Sequence, residues 1–158
     1  MKFFSVLAAT STILGAAVAA PAASEEVGDT FYLKINGGGE FNGQYVDRDS
    51  VDDVEKAVAS EDHGGGYNLI SNTIATSDNG TVYYGALDTQ GSSNQEIRFS
   101  ESEQEGNLKL ANVQGKEVLR PEAKGTWYVC NVDGKGIVTF GNEDTQGCSQ
   151  ADLVVEKL

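Results

Sequence analysis

The stretch NLISNTIATSDNGTVYYGAL, residues 68–87, decides the fold class of this chain. Two β-rich runs, Asn68 to Thr76 and Thr81 to Leu87, flank a short polar segment. Its Asn79-Gly80 pair suits the two positive-φ positions of a tight turn. The stretch therefore predicts an antiparallel β-hairpin.

Similar runs, broken by glycine and asparagine, recur on both sides of this hairpin. They cover 31–35, 40–46, 96–100, 107–113, 116–120, 126–132, 136–140 and 151–157. Turns such as Asp133-Gly134-Lys135 join several of them. About ten short, mostly antiparallel strands at this spacing predict an all-β fold, arranged as a sandwich or a closed barrel.

One segment departs from the strand pattern. Within 47–62, four apolar residues fall at helical spacing: Val51, Val54, Ala57 and Val58. Acidic residues precede them, and negative charge is favourable near a helix N-terminus. The spacing therefore predicts one short amphipathic helix near 51–59.

The first nineteen residues have the order of a secretory signal peptide. Lys2 supplies a positive charge, an apolar stretch runs from Phe3 to Val18, and Ala17-Val18-Ala19 fits a cleavage site. Serine, threonine and glycine interrupt the stretch, which makes it too weakly apolar for a spanning helix. We therefore expect a secreted product without a membrane anchor in its mature form.

The expected domain organisation follows from that cleavage. It comprises a cleaved signal peptide at 1–19, a flexible lead-in at 20–29 and a single β domain at 30–158. The loss of Lys2 leaves ten basic residues against 24 acidic ones, and the net charge moves from −13 to −14. We do not expect nucleic acid as a partner, because its binding begins with basic side chains that neutralise phosphates and the acidic residues here outnumber them.

The two cysteines, Cys130 and Cys148, belong to a chain expected in an oxidising compartment. A disulfide between them is favoured over a pair of reactive thiols. By restricting the unfolded chain, such a bridge contributes about 3 kcal/mol to stability.

The sequence contains few residues that could bind a metal or act as an activated nucleophile. His63 is the only histidine, and it lies in a polar glycine-rich stretch without a nucleophile motif, which favours a surface loop. One histidine and two bridged cysteines cannot form a usual zinc site. The acidic run 47–53 fails the EF-hand pattern, because Val51 and Asp52 stand where a ligand and a glycine are needed. We expect no metal and no cofactor, and a weak extracellular calcium site in the acidic run is the alternative.

Paired carboxylates are the remaining route to catalysis, since a glycosidase needs only two. Glu96 and Glu101 flank one predicted strand, and Asp152 and Glu156 flank another. Solvated acids at strand edges explain these residues better than a catalytic pair. A small glycosidase is therefore the least favoured of the functions considered.

Two features point to sugars. Asn79-Gly80-Thr81 is an N-glycosylation sequon on the tip of the predicted hairpin. Exposed aromatic rings can stack on saccharides, and alternation along strands puts neighbouring aromatics on opposite faces. The candidate ligand-binding residues are Tyr83, Tyr84, Trp127 and Tyr128. For Trp127, core packing is the favoured interpretation.

The C-terminal third carries a family resemblance in GTWYVC at 125–130 and GCSQADLVV at 147–155, with a looser echo in FYL at 31–33. It resembles small secreted fungal cell-wall proteins, the group that includes the phialide and IgE-binding cell-wall proteins. The resemblance implies a non-catalytic wall or secreted surface protein, with the disulfide between Cys130 and Cys148 and with Trp127 in the adjoining core. It assigns no catalytic residue.

The sequence thus predicts a secreted, non-catalytic extracellular or cell-wall-associated protein. A carbohydrate-binding module with cell-wall polysaccharide as its partner is the first alternative, and the glycosidase is the second.

Overall fold

The computed structural model describes residues 29–88, 94–142 and 146–158. The expected signal peptide at 1–19 and residues 20–28 of the expected lead-in lie outside the described residues.

The described ranges contain twelve β-strands, all paired antiparallel, and a single 3-10 turn at Gly39–Phe41. The all-β prediction is confirmed. The strands are β1 (Phe31–Gly37), β2 (Tyr45–Val51), β3 (Val54–Ser60), β4 (Asn68–Ile70), β5 (Thr73–Asp78), β6 (Thr81–Leu87), β7 (Asn94–Ser100), β8 (Leu108–Val113), β9 (Lys116–Pro121), β10 (Thr126–Val132), β11 (Lys135–Gly141) and β12 (Cys148–Lys157).

The strands form one continuous sheet that closes on itself. Its central ring runs β3, β2, β1, β12, β10 and β11, and β11 pairs again with β3. Strand β7 pairs with both β11 and β3 and leads outward through β6 and β5 to β4. The β8–β9 hairpin extends the sheet from β12. The sheet is therefore ring-like and is not divided into the two separate sheets of a sandwich.

The predicted helix near 51–59 is wrong, because this segment belongs to a β-hairpin. Strands β2 and β3 pair from Tyr45 with Ser60 to Val51 with Val54. The turn residues Asp52 and Asp53 both have positive φ, 53° and 61°. Strands β1 and β11 on either side provide hydrogen-bonding partners, and this tertiary pairing prevails over helical spacing that depends on β-branched valines.

Two predicted strands have different bounds in the structure. The run from Asn68 to Thr76 is divided by a turn at Ser71-Asn72, where both residues have positive φ. In the run 40–46, only the last two residues are in a strand, because the chain first makes the 3-10 turn. The Asn79-Gly80 turn is confirmed, with φ of 48° and 85°.

The core lies inside the ring and under the β4–β7 extension. Trp127 is fully buried at its centre, its ring packs edge-on against Phe140, and its indole N–H donates to the Leu119 carbonyl at 2.7 Å. The core position favoured for Trp127 is observed. The predicted disulfide is also confirmed, and it joins directly opposed residues of β10 and β12, Cys130 and Cys148.

Candidate functional site

The outer face of β1 presents a half-buried tyrosine and lysine next to each other. Phe31, Leu33 and Ile35 are buried in the core, whereas the alternating residues Tyr32 and Lys34 are partly exposed. Successive residues of a strand point to opposite faces, so the apolar alternation of β1 places both polar side chains outside.

The neighbouring strands add two more side chains to this face. Tyr45, the first residue of β2, lies opposite Lys34, and Glu156 of β12 lies opposite Tyr32. Directly opposed residues of antiparallel strands project to the same side of a sheet. Register therefore gathers Tyr32, Lys34, Tyr45 and Glu156, which together with His63 we call the Tyr45 cluster.

His63 reaches the cluster from the loop between β3 and β4. Backbone hydrogen bonds between Phe31 and Tyr67, 2.9 and 2.7 Å long, fix the end of this loop beside β1. Nearer the histidine, the Asp47 carboxylate packs so closely on Gly64 that a Cβ there would collide with it. Glycine at position 64 thus lets the loop lie against the sheet with His63 over its outer face.

The three rings of the Tyr45 cluster pack against one another. The rings of Tyr32 and His63 are stacked, with centroids 5.0 Å apart and an interplanar angle of 24°. Tyr45 stands nearly perpendicular to both, 5.0 Å from His63 and 6.2 Å from Tyr32. His63 is exposed and the tyrosines are half-buried, so the cluster is an aromatic surface open to solvent.

An ion pair borders these rings. Lys34 Nζ lies 3.1 Å from Glu156 Oε1 and 5.2 Å from the centre of the Tyr45 ring. The Tyr45 hydroxyl donates to Glu156 Oε2 at 3.0 Å. The Lys34 hydrogen bond, with help from Tyr45 and His63, lowers the pKa of Glu156, and Glu156 in turn raises the pKa of Lys34. Both groups are therefore charged at neutral pH.

A shallow cleft of about 410 Å³ adjoins this ion pair. Asn36, Asn42 and Lys116 line it together with Lys34 and Glu156. The Asn42 side-chain oxygen accepts from the Gly37 backbone N–H at 2.9 Å, which fixes the orientation of this amide. The cleft thus continues the aromatic surface with hydrogen-bonding groups.

A second group of similar composition lies on the inner face of the β2–β3 hairpin. Arg48 stacks on Tyr83, with the guanidinium carbon 3.7 Å from the ring centre, and binds Glu55 at 2.6 Å and Asp78 at 3.0 Å. We call these four residues the Arg48 cluster. The Arg48 side chain is only 14% exposed, so the cluster fastens the β2–β3 hairpin to the β5–β6 hairpin.

The four aromatic residues expected to bind ligand do not form one exposed surface. Trp127 and Tyr128 are buried, with exposures of 0% and 8%. Arg48 covers the ring of Tyr83. Tyr84 is half-buried on β6, and its carbonyl accepts from the Gln104 amide at 3.3 Å.

The carboxylates considered for catalysis lie mostly in ion pairs. Glu96 binds Lys56 at 3.1 Å, and Asp152 binds Arg120 at 2.8 Å. Glu156 is held by Lys34, and Glu101 is exposed in the turn after β7. Three of the four carboxylates considered are thus held by a cation.

The sequence reasoning missed the Tyr45 cluster. Part of it could have been predicted, because Tyr32 and Lys34 alternate with the apolar residues of β1 and so lie on its outer face. The partners were not visible: Glu156 lies more than a hundred residues away along the chain, and His63 lies in a loop whose path no local pattern defines. Asn79, by contrast, lies on an exposed turn, where the sequon was expected.

No protein-family model, curated protein or solved structure matches this chain. In the part of the chain that the structure describes, no three His, Cys, Asp or Glu side chains are grouped to hold a metal ion. No helix among the described residues is long and apolar enough to cross a membrane. The site's own geometry therefore carries the functional argument.

Proposed function

We propose that this chain is a secreted, non-catalytic protein of the extracellular surface or cell wall. The observation that supports a non-catalytic role is the pairing of the candidate catalytic acids with cations. Glu96, Asp152 and Glu156 each bind a cationic side chain, and the pKa of Glu156 is lowered. A glycosidase acid must hold a proton near neutral pH, which requires a raised pKa.

Three further features support an extracellular location. Residues 1–19 have the pattern of a cleaved signal peptide. The Cys130–Cys148 disulfide suits an oxidising compartment. The Asn79 sequon lies on an exposed hairpin tip, where glycosylation is sterically possible.

Cell fractionation combined with intact mass spectrometry tests this proposal. We expect the chain in the culture medium or wall fraction, cleaved after Ala19, with the disulfide formed. Recovery only inside cells, with residues 1–19 intact, would contradict it. Hydrolysis of a glycan substrate by the purified chain, lost in Glu156→Gln, would instead favour the glycosidase.

Carbohydrate binding is the second candidate function, and the Tyr45 cluster is the observation that favours it. The Tyr45 cluster contains none of the four aromatic residues selected by sequence. Of those four, only Tyr84 is partly exposed and has no guanidinium over its ring.

A further inference from the structure

We propose that the Tyr45 cluster and its adjoining cleft bind a neutral saccharide, with the aromatic rings against the sugar face and the Lys34–Glu156 pair on its hydroxyl groups. The inference rests on the proposed extracellular function and names the ligand class and the site. It involves Tyr32, Tyr45 and His63, none of which the sequence marked as ligand-binding.

The aromatic surface suits a sugar ring because a pyranose has C–H groups on its faces and hydroxyls around its edge. Tyrosine and histidine offer flat apolar area with a polar tip. The three rings already pack at 5.0 to 6.2 Å from one another, so few side-chain rotations are lost on binding. A site ordered before binding loses less entropy when the ligand arrives.

The polar groups beside the rings match the edge of the sugar. Glu156 accepts from Lys34 and Tyr45, yet 42% of its side chain is exposed, so its oxygens have lone pairs for further donors. Asn36 and Lys116 line the adjoining cleft.

The net charge of the chain favours a neutral ligand over an anionic one. In the Tyr45 cluster, the Lys34 and Glu156 charges compensate each other, and the adjoining cleft adds Lys116. The whole chain carries a net charge of −13, which repels polyanions such as acidic polysaccharides and nucleic acids. Neutral wall polymers do not meet this repulsion.

The Arg48 cluster shows why the site is at Tyr45 and not at Tyr83. Both clusters combine tyrosine, a cation and a carboxylate. At Tyr83, the guanidinium lies on the ring at 3.7 Å, where a sugar would need to stack. At Tyr45, the Lys34 ammonium is 5.2 Å from the ring centre, and the neighbouring His63 is exposed.

Retention of the full secreted chain on insoluble β-glucan, chitin and mannan tests the inference. We expect retention on at least one polymer, weakened about fivefold in Tyr45→Ala and in His63→Ala, because a lost aromatic contact contributes about 1 kcal/mol. The matched control is Tyr84→Ala, which removes a half-buried tyrosine from β6 and should leave retention unchanged.

The outcomes distinguish a failure of the proposed binding site from a failure of the proposed extracellular function. Wild-type chain that binds none of the three polymers, or binding reduced equally by Tyr84→Ala, would overturn the inference, while an extracellular location would still stand by fractionation. His63 is exposed in a loop, so His63→Ala tests the site if Tyr45→Ala fails to fold. Retention unchanged in a folded His63→Ala chain, with circular dichroism matching wild type, would also overturn it.

Discussion

The Tyr45 and Arg48 clusters lie on opposite faces of the same hairpin and both combine tyrosine, a cation and a carboxylate, yet they differ in what covers them. The β5–β6 hairpin packs over Arg48, whose side chain is 14% exposed. No described strand covers the Tyr45 cluster, where Lys34 and Glu156 are 38% and 42% exposed. Composition alone therefore does not distinguish a structural contact from a binding surface, whereas burial does.

This difference has an energetic consequence. A mostly buried cation held by two carboxylates fixes the packing of two hairpins, and its loss leaves charges without a partner. An exposed ion pair contributes little to stability, because water screens it. We therefore expect variants of the Arg48 cluster to affect stability and variants of the Tyr45 cluster to affect binding.

The largest expected effect concerns the disulfide, which lies outside both clusters. Replacing Cys130 and Cys148 together with alanine should lower the free energy of unfolding by about 3 kcal/mol, because the unfolded chain loses a constraint. Urea denaturation measures this change. Saccharide retention by the folded fraction should be unchanged, and a loss of retention at full folding would show that the Tyr45 cluster depends on the bridge.

Arg48→Ala should lower the free energy of unfolding by about 2 kcal/mol, since it uncovers Tyr83 and leaves Glu55 and Asp78 unpaired. The matched control is Lys135→Ala, which breaks an exposed pair with Asp49 on the same hairpin and should change stability by less than about 0.5 kcal/mol. Denaturant midpoints compare the two variants. Equal midpoints would contradict a structural role for Arg48.

Asp53→Gly should raise the free energy of unfolding by about 1 kcal/mol. Asp52 and Asp53 both have positive φ, and the second position of such a hairpin turn favours glycine. The sign of the change distinguishes the hairpin from the helix, because replacing aspartate by glycine inside a helix would be destabilising. Thermal or urea unfolding gives the sign, and Asp53→Ala should bring no gain.

The smallest expected effect is the pH dependence of the Tyr45 cluster. The lowered pKa of Glu156 means that its contribution to stability is complete above the ordinary value of 4.5 and is lost as the pH falls through the lowered pKa. For Lys34, the raised pKa means that the contribution is complete below 10.5 and is lost as the pH rises through the raised pKa.

NMR titration of the carboxyl groups measures the pKa of Glu156. The loss of stability that its protonation causes at low pH should be absent in Glu156→Gln. A Glu156 carboxyl that titrates at or above 4.5 would contradict the ion pair with Lys34.

The parts of the fold that the sequence predicted well are those defined by local signals. Strand β10 has the expected bounds, 126–132, because aromatic and β-branched residues end at a glycine turn. The Asn79-Gly80 turn is local in the same way. At 51–59 the local signal was helical, yet β3 pairs with β2 on one side and with β11 and β7 on the other. Local sequence patterns did not predict the Tyr45 cluster, because it depends on the register of β1 with β12.

The most direct test of the account is an NMR titration of the labelled secreted chain with short oligosaccharides of glucose, N-acetylglucosamine and mannose. We predict that one of these series shifts the signals of Tyr32, Tyr45, His63 and Glu156 together, while the signals of Arg48 and Tyr83 remain in place. Shifts centred on the β5–β6 hairpin, or no shifts with any series at millimolar ligand, would contradict the proposed binding site.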